Sequence, residues 1–194
     1  MNFLAHIYLS GENDLLKIGN FMGDSVRGND FLNYQEGIKN GILLHRSIDS
    51  FTDFHPIYRK SKHRLHEKYG HYSGVIMDIM YDYFLALHFA KFHPKPLPEF
   101  ANDFYALITS NQHLISDKAK AMLPHMIEHN WLVSYATKEG LEKILFMMDY
   151  RTKHRASMQE VMVELELYHT EFETEFFAFF EELQLHCKQF INTL

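Results

Sequence analysis

A chain of 194 residues suffices for one domain with a good-sized core, and 46% hydrophobic with 15% aromatic residues supplies that core's material. A formal charge of −6 argues against a general nucleic-acid binder, which needs positive charge to recruit phosphates. Cys187 is the only cysteine, which excludes an intrachain disulfide and a cysteine-rich zinc site and makes a reducing cytoplasm the expected compartment.

Helical periodicity prevails along the chain, and no strand run bounded by hairpin turns stands out. The opening MNFLAHIYLS is apolar, but it lacks a basic flank and charged GENDLLK follows at once. It reads as a short helix over 2–9, not as a signal peptide or a membrane span. A second helix is expected over 13–27, ahead of Gly28, and a third over 35–53, stopped by Pro56. Pro56 suits the first turn of a fourth, basic helix reaching Tyr69 and Gly70. Residues 73–92 read as one long, mostly buried helix, ended by the HPKPLP break. Pro98 and Glu99 open the next, to about Asn111; Ser116 and Asp117 cap one reaching His129, with a kink at Pro124; Thr137 caps one through Tyr150. In the last helix Met158, Met162, Leu165, His169, Phe172, Phe176, Phe179 and Leu183 repeat in steps of four and three, the mark of one buried face. The expectation is a single all-α domain over 1–194, an irregular helical bundle.

Polar stripes interrupt these apolar helices. Side chains at i and i+4 of a helix lie about 40° apart around its axis, one turn above another. HRSIDSFTD is therefore a ladder of His45, Asp49 and Asp53; MNFLAH sets Asn2 below His6; GNFMGDSVRG sets Asn20, Asp24 and Arg27 on one face; DIMYD sets Asp78 below Asp82. The last pair is the hardest to explain as a solvated face, because like charges at i,i+4 repel and Val75, Ile76, Ile79, Met80, Phe84 and Leu85 flank it. An unpaired buried carboxylate costs roughly several kcal/mol unless protonated, paired or bound to metal. Imidazole with several carboxylates and no thiolate is a ligand set for Mn²⁺, Fe²⁺, Mg²⁺ or Zn²⁺. Such an ion polarises a phosphoryl oxygen and acidifies a bound water, and Arg27, one helical turn beyond Asp24, would hold a phosphate oxygen.

Two charge runs stand apart from the stripes. RKSKHRLHEK, residues 59–68, carries Arg59, Lys60, Lys62, Arg64 and Lys68, whereas EFETEFFAFFEE near the C-terminus is acidic. The basic run is either a solvated helix face or a docking patch for an acidic partner. Nucleotide loops of the GxGxxG or GxxxxGK[ST] type, HExxH and GxSxG are absent. A di-iron bundle would need two ExxH motifs, and only Glu166 with His169 in ELYH supplies one.

In order and spacing, MNFLAH, GNFMGDSVRG, GILLHRSIDSFTD and DIMYDYFLALH resemble the bacterial acyl-carrier-protein phosphodiesterases, and the likeness runs nearly end to end. The resemblance implies an all-α, HD-domain-like fold related to the HD-type metal-dependent phosphohydrolases. It implies hydrolysis of the phosphodiester joining 4′-phosphopantetheine to a serine of holo-acyl carrier protein, with Mn²⁺ the favoured ion and Mg²⁺, Fe²⁺ or Co²⁺ as substitutes. Carried over motif by motif, the metal ligands would be Asp24, His45, Asp49 and the Asp78/Asp82 pair, Asp82 foremost, with His6 a further candidate. Asp53 or Asp78 would act as acid or base, and Arg27 would stabilise phosphoryl charge. HD enzymes take their name from an adjacent His-Asp pair, whereas His45 and Asp49 are one turn apart, so the ligand set stays open. Acyl carrier protein is small and acidic, so a chain at −6 needs local positive charge to steer it, and the resemblance favours Arg59, Lys60, Lys62 and Arg64 as that patch. Neither nucleic acid nor membrane is expected as a partner. The alternatives are the same chemistry on a small nucleotide or other phosphodiester, and a non-catalytic helical binding protein whose ladders are structural.

Overall fold

The computed structural model describes residues 1–194 and opens on a cap: the Asn2 side-chain oxygen accepts from the Phe3 amide, starting α1 (Phe3–Leu9). Asn13 caps α2 (Asp14–Phe21) in the same way through the Leu16 amide. This second helix is shorter than expected. The chain leaves it at Met22, makes a 3-10 turn over Gly23–Ser25 and reaches Val26 extended. A tertiary contact enforces the break: a methyl on Gly23 would lie 2.3 Å from Cγ of the His45 ring, so only glycine lets the backbone lie against it.

Helix α3 (Glu36–Phe54) packs closely on α2 at a glycine crossing. A methyl on Gly19 would sit 2.2 Å from the Ile38 carbonyl oxygen, and one on Gly41 2.5 Å from that of Leu16. Pro56 opens α4 (Pro56–Tyr69), which ends at Gly70 with φ of 52°, a backbone conformation that favours glycine. The expected helix over 73–92 is divided at His88 into α5 (Ser73–Leu87) and a single turn, α6 (Phe89–Phe92). Then come α7 (Leu97–Ser110), α8 (Asp117–Glu128), α9 (Trp131–Ser134) and α10 (Lys138–Arg151). Ser116 and Thr137 cap α8 and α10 through the Ala119 and Gly140 amides, as their positions predict. The final pattern is also divided: a 3-10 turn at Met158–Val161 leads into α11 (Met162–Leu167), and after Tyr168 α12 runs His169–Ile191. The fold is all-α, with no β-strand.

The core forms where α12 lies against α3, α4 and α5. Phe172, Phe176, Phe179 and Phe180 are fully buried, and Tyr81 of α5 meets Phe176 and Phe179 at centroid separations of 5.5 and 5.3 Å. Burying each such ring contributes roughly 1.5–3 kcal/mol. Glu175 is buried on the same face, and it is fully partnered: Arg64 grips it with both guanidinium nitrogens, Lys60 reaches it at 3.0 Å, and the Ser61 hydroxyl donates to it. The chain thus accommodates a charge that burial alone would penalise.

Candidate metal centre

Short polar links from α1, α2 and α3 bring His6, His45 and Asp49 together. Asn20, fully buried near the end of α2, is the hub. Its Nδ2 donates to the His6 carbonyl at 2.8 Å and to Ser10 Oγ at 2.9 Å, so its Oδ1 faces His6 Nδ1 at 2.8 Å as an acceptor. The Asn20 backbone carbonyl receives His45 Nδ1, also at 2.8 Å. Both imidazoles therefore hold a proton on Nδ1 and turn the other nitrogen outward as a ligand atom. The rings stack with centroids 4.0 Å apart and planes 17° from parallel.

Both outward nitrogens meet Asp49. His6 Nε2 lies 3.3 Å from one carboxylate oxygen and His45 Nε2 lies 3.1 Å from the other. Asp24, on the 3-10 turn after α2, brings an oxygen to 3.3 Å from His45 Nε2. These donor atoms need a positive charge among them. Burial works against a charged His45, but hydrogen bonds to Asp24 and Asp49 outweigh it and raise its pKa to about 9. Burial, with the neighbouring His45, lowers that of His6. Asp49 also pays a burial cost, yet the two imidazoles hold its pKa well below the usual carboxylate range. The donor chemistry fits a divalent ion: a metal at the meeting point of His6, His45 and Asp49, with Asp24 beside it, would supply the charge that a proton on His45 otherwise provides.

Beside this cluster is an open cavity of about 230 Å³ lined by Met1, Asp24, Asp49, Thr52, Asp53 and Asp78. Asp53 stands exposed one turn beyond Asp49 on α3. Asp78 is oriented by the Tyr58 hydroxyl, which donates to its Oδ1 at 2.8 Å, and by the Met1 amine 2.9 Å away. Thr52 is a residue that the ladder reading passed over. Its hydroxyl is buried without a hydrogen-bond partner in the protein. Its only sequence signal is position: one residue before Asp53 and three after Asp49.

Two expectations need correction. Asp82 does not join the metal ligands. It is fully buried, and its oxygens accept from the backbone amides of Asn2 at 3.1 Å, Leu4 at 2.7 Å and Ala5 at 3.3 Å, capping the start of α1. This arrangement explains the Asp78/Asp82 stripe without metal: one carboxylate closes a helix end, and the other faces the cavity. Arg27 is not one turn beyond Asp24, because α2 ends at Phe21; it is exposed on the following loop, outside the cavity lining. That loop is braced instead by Arg46, which donates to the carbonyls of Val26 at 3.1 Å and Gly28 at 2.8 Å and lies over the Phe31 ring. Within the basic run, Lys60 and Arg64 pair with Glu175 and Lys62 lies over the Tyr58 ring, while Arg59 is exposed.

Residues 1–183 match the family model described as acyl carrier protein phosphodiesterase. Among curated relatives, the acyl carrier protein phosphodiesterase of Photorhabdus laumondii is 29% identical over 93% of this chain and 91% of its own length. Those of Pectobacterium atrosepticum and Enterobacter sp. are 28% and 26% identical, each over 97% of this chain and 98% of their own lengths. No solved structure matches the chain. With a family match over nearly its whole length, and those relatives' shared name, the chain belongs to the acyl carrier protein phosphodiesterase family.

Proposed function

We propose that the protein hydrolyses the phosphodiester joining 4′-phosphopantetheine to a serine of holo-acyl carrier protein, releasing apo-acyl carrier protein, with a divalent metal as cofactor, Mn²⁺ foremost. The observation that carries this reading is the convergence of two imidazole Nε2 atoms, both with Nδ1 committed as a donor, on the single carboxylate of Asp49. His6, His45, Asp49 and Asp24 would hold the ion, which supplies Lewis acidity for the phosphoryl group and for the attacking water.

The lining of the cavity supports the same conclusion. Four carboxylates, Asp24, Asp49, Asp53 and Asp78, outnumber the single Met1 amine in this lining and would repel a phosphodiester anion without a further cation among them. In hydrolysis, water oxygen joins phosphorus, the bond from phosphorus to the serine oxygen breaks, and that oxygen takes up a proton. Asp53 and Asp78 would move the protons. Asp78 is the better oriented, since the Tyr58 hydroxyl and the Met1 amine both hold its Oδ1 while the residue lines the cavity. Asn20 sets the tautomer of both imidazoles, and Gly23 lets the Asp24 turn close over His45. We place the activity in the cytoplasm, where the buried, unpaired Cys187 would stay reduced. No helix is long and apolar enough to cross a membrane.

Incubating the protein with holo-acyl carrier protein and Mn²⁺ and weighing the carrier by mass spectrometry tests the proposal. Loss of the phosphopantetheine mass is expected; no loss with any of Mn²⁺, Mg²⁺, Fe²⁺ or Co²⁺ would overturn it. One observation favours a second reading, hydrolysis of a smaller phosphodiester. Glu175 takes up Lys60 and Arg64, which shrinks the positive surface available to an acidic protein. Turnover of a nucleotide diester in preference to the carrier would select that reading.

A further inference from the structure

A second set of metal-ligating side chains stands on α8 and shares no residue with the cluster on α1 and α3. His125, Glu128 and His129 occupy positions i, i+3 and i+4 at the end of this helix, and their donor atoms all lie within 4.8 Å of one another. The turn is intact as far as His129, whose backbone N–H donates to the His125 carbonyl at 3.1 Å. Each of the three side chains is exposed, and the one ion pair among them, His125 with Glu128, is loose at 3.9 Å. The helix ends here, so its last carbonyls add partial negative charge where a cation would sit.

We propose that His125, Glu128 and His129 form a second metal site, for a borderline-soft divalent ion such as Zn²⁺. Two imidazoles and one carboxylate are a sufficient protein ligand set for this ion, and they leave a fourth position for water or an anionic ligand. Tetrahedral coordination at the usual bond lengths brings donors about 3.3 Å apart, so the side chains must draw together slightly. Because all three are exposed, that closure costs rotamer freedom and disturbs no packing. Mg²⁺ prefers oxygen ligands and gains little from two imidazoles, so the site discriminates against it.

The location gives the site a setting. His125 and His129 border an apolar cavity of about 340 Å³, with Phe3 and Trp131 in its wall and Lys143 and Arg151 at its edge. An ion bound to α8 adds to the positive charge already present there and offers it a coordination position.

Equilibrium dialysis of the purified, untagged full chain against Zn²⁺, with metal analysis, tests the proposal. The H125Q/H129Q double variant is expected to lose one equivalent of bound Zn²⁺ relative to wild type and to keep its Mn²⁺-supported hydrolysis. Glu128→Gln retains both imidazoles, and its Zn²⁺ saturation curve is expected to shift to higher concentration. Asp49→Asn should keep the α8 equivalent, so failure of the phosphodiesterase proposal leaves this count readable. Equal Zn²⁺ content in wild type and H125Q/H129Q, with both folded by circular dichroism, would overturn the assignment.

Discussion

The Asn20 side chain receives the Nδ1 proton of His6 at 2.8 Å, and so decides which nitrogen of that ring is offered to a metal. The same asparagine also holds the His6 carbonyl and Ser10, while its backbone carbonyl orients His45. Replacing it by alanine removes three buried hydrogen bonds and one tautomer constraint. Asn20→Ala is expected to weaken metal binding by about ten- to a hundredfold and to lower stability by roughly 2–3 kcal/mol. Calorimetric Mn²⁺ titration beside urea denaturation measures both.

Asp49 and Asp82 give opposite expectations from the same substitution type. Asp49→Asn removes the carboxylate that both imidazoles face and should reduce bound Mn²⁺ to background while the protein stays folded. Asp82→Asn should leave the metal ligands intact but deprive the α1 amides of part of their acceptor, costing about 1–3 kcal/mol. Metal content per folded chain, read with the denaturation midpoint, separates the two. If both variants lose metal equally, Asp82 does more than cap α1.

Stability should also depend on pH through Asp82. Burial is the largest influence and pushes its carboxyl up to about 7, although the Met1 amine and three backbone amides pull the other way. A carboxyl with a raised folded-state pKa binds a proton on folding, so its contribution is complete below the unfolded value of about 3.9 and is lost as pH climbs through 7. Between those limits the folded state should lose about 1 kcal/mol per pH unit from this group. Urea melts of wild type and Asp82→Asn from pH 4.5 to 8 should converge as pH rises. Parallel curves would mean that the three amides keep Asp82 ionised throughout.

The basic helix should divide into two functional halves. Arg59→Glu with Lys62→Glu is expected to lower kcat/KM on holo-acyl carrier protein several-fold at low salt and to spare a small chromogenic diester, since Arg59 is exposed, Lys62 is half-buried over Tyr58, and steering by such surface charge fades with ionic strength. Arg64→Ala should act through stability instead, by about 3 kcal/mol, because it leaves Glu175 buried with less compensation. An Arg59/Lys62 variant with undiminished activity on the carrier at low salt would remove the docking role.

Helix starts were legible where a local side chain makes them, as at Ser116, Thr137 and Pro56. The early end of α2 was not, because periodicity continues through Met22 and Asp24 and the cause is the His45 ring, distant in sequence. The same limit applies to the site. His6, His45 and Asp49 could be found because i,i+4 spacing on apolar helices betrays them. Asp78 and Asp82 share one stripe, yet only contact with α1 tells the capping carboxylate from the one facing the cavity. Arg59 and Arg64 look alike in the run, and the distinction lies with Glu175, more than a hundred residues away. Asn20 was visible as a polar residue on α2, but its role depends on reaching two other helices at once.

The Gly19–Gly41 crossing has a consequence for how the metal ligands hold their spacing. Asn20 follows one of these glycines, while His45 lies one turn beyond the other, so the two backbones touch beside the residues whose separation governs coordination. With no side chain between them there is nothing compressible to absorb an insertion. Even a single added methyl at either position would act as a wedge, levering the asparagine away from the imidazoles, and chelation would fail while most of the aromatic core stayed in place.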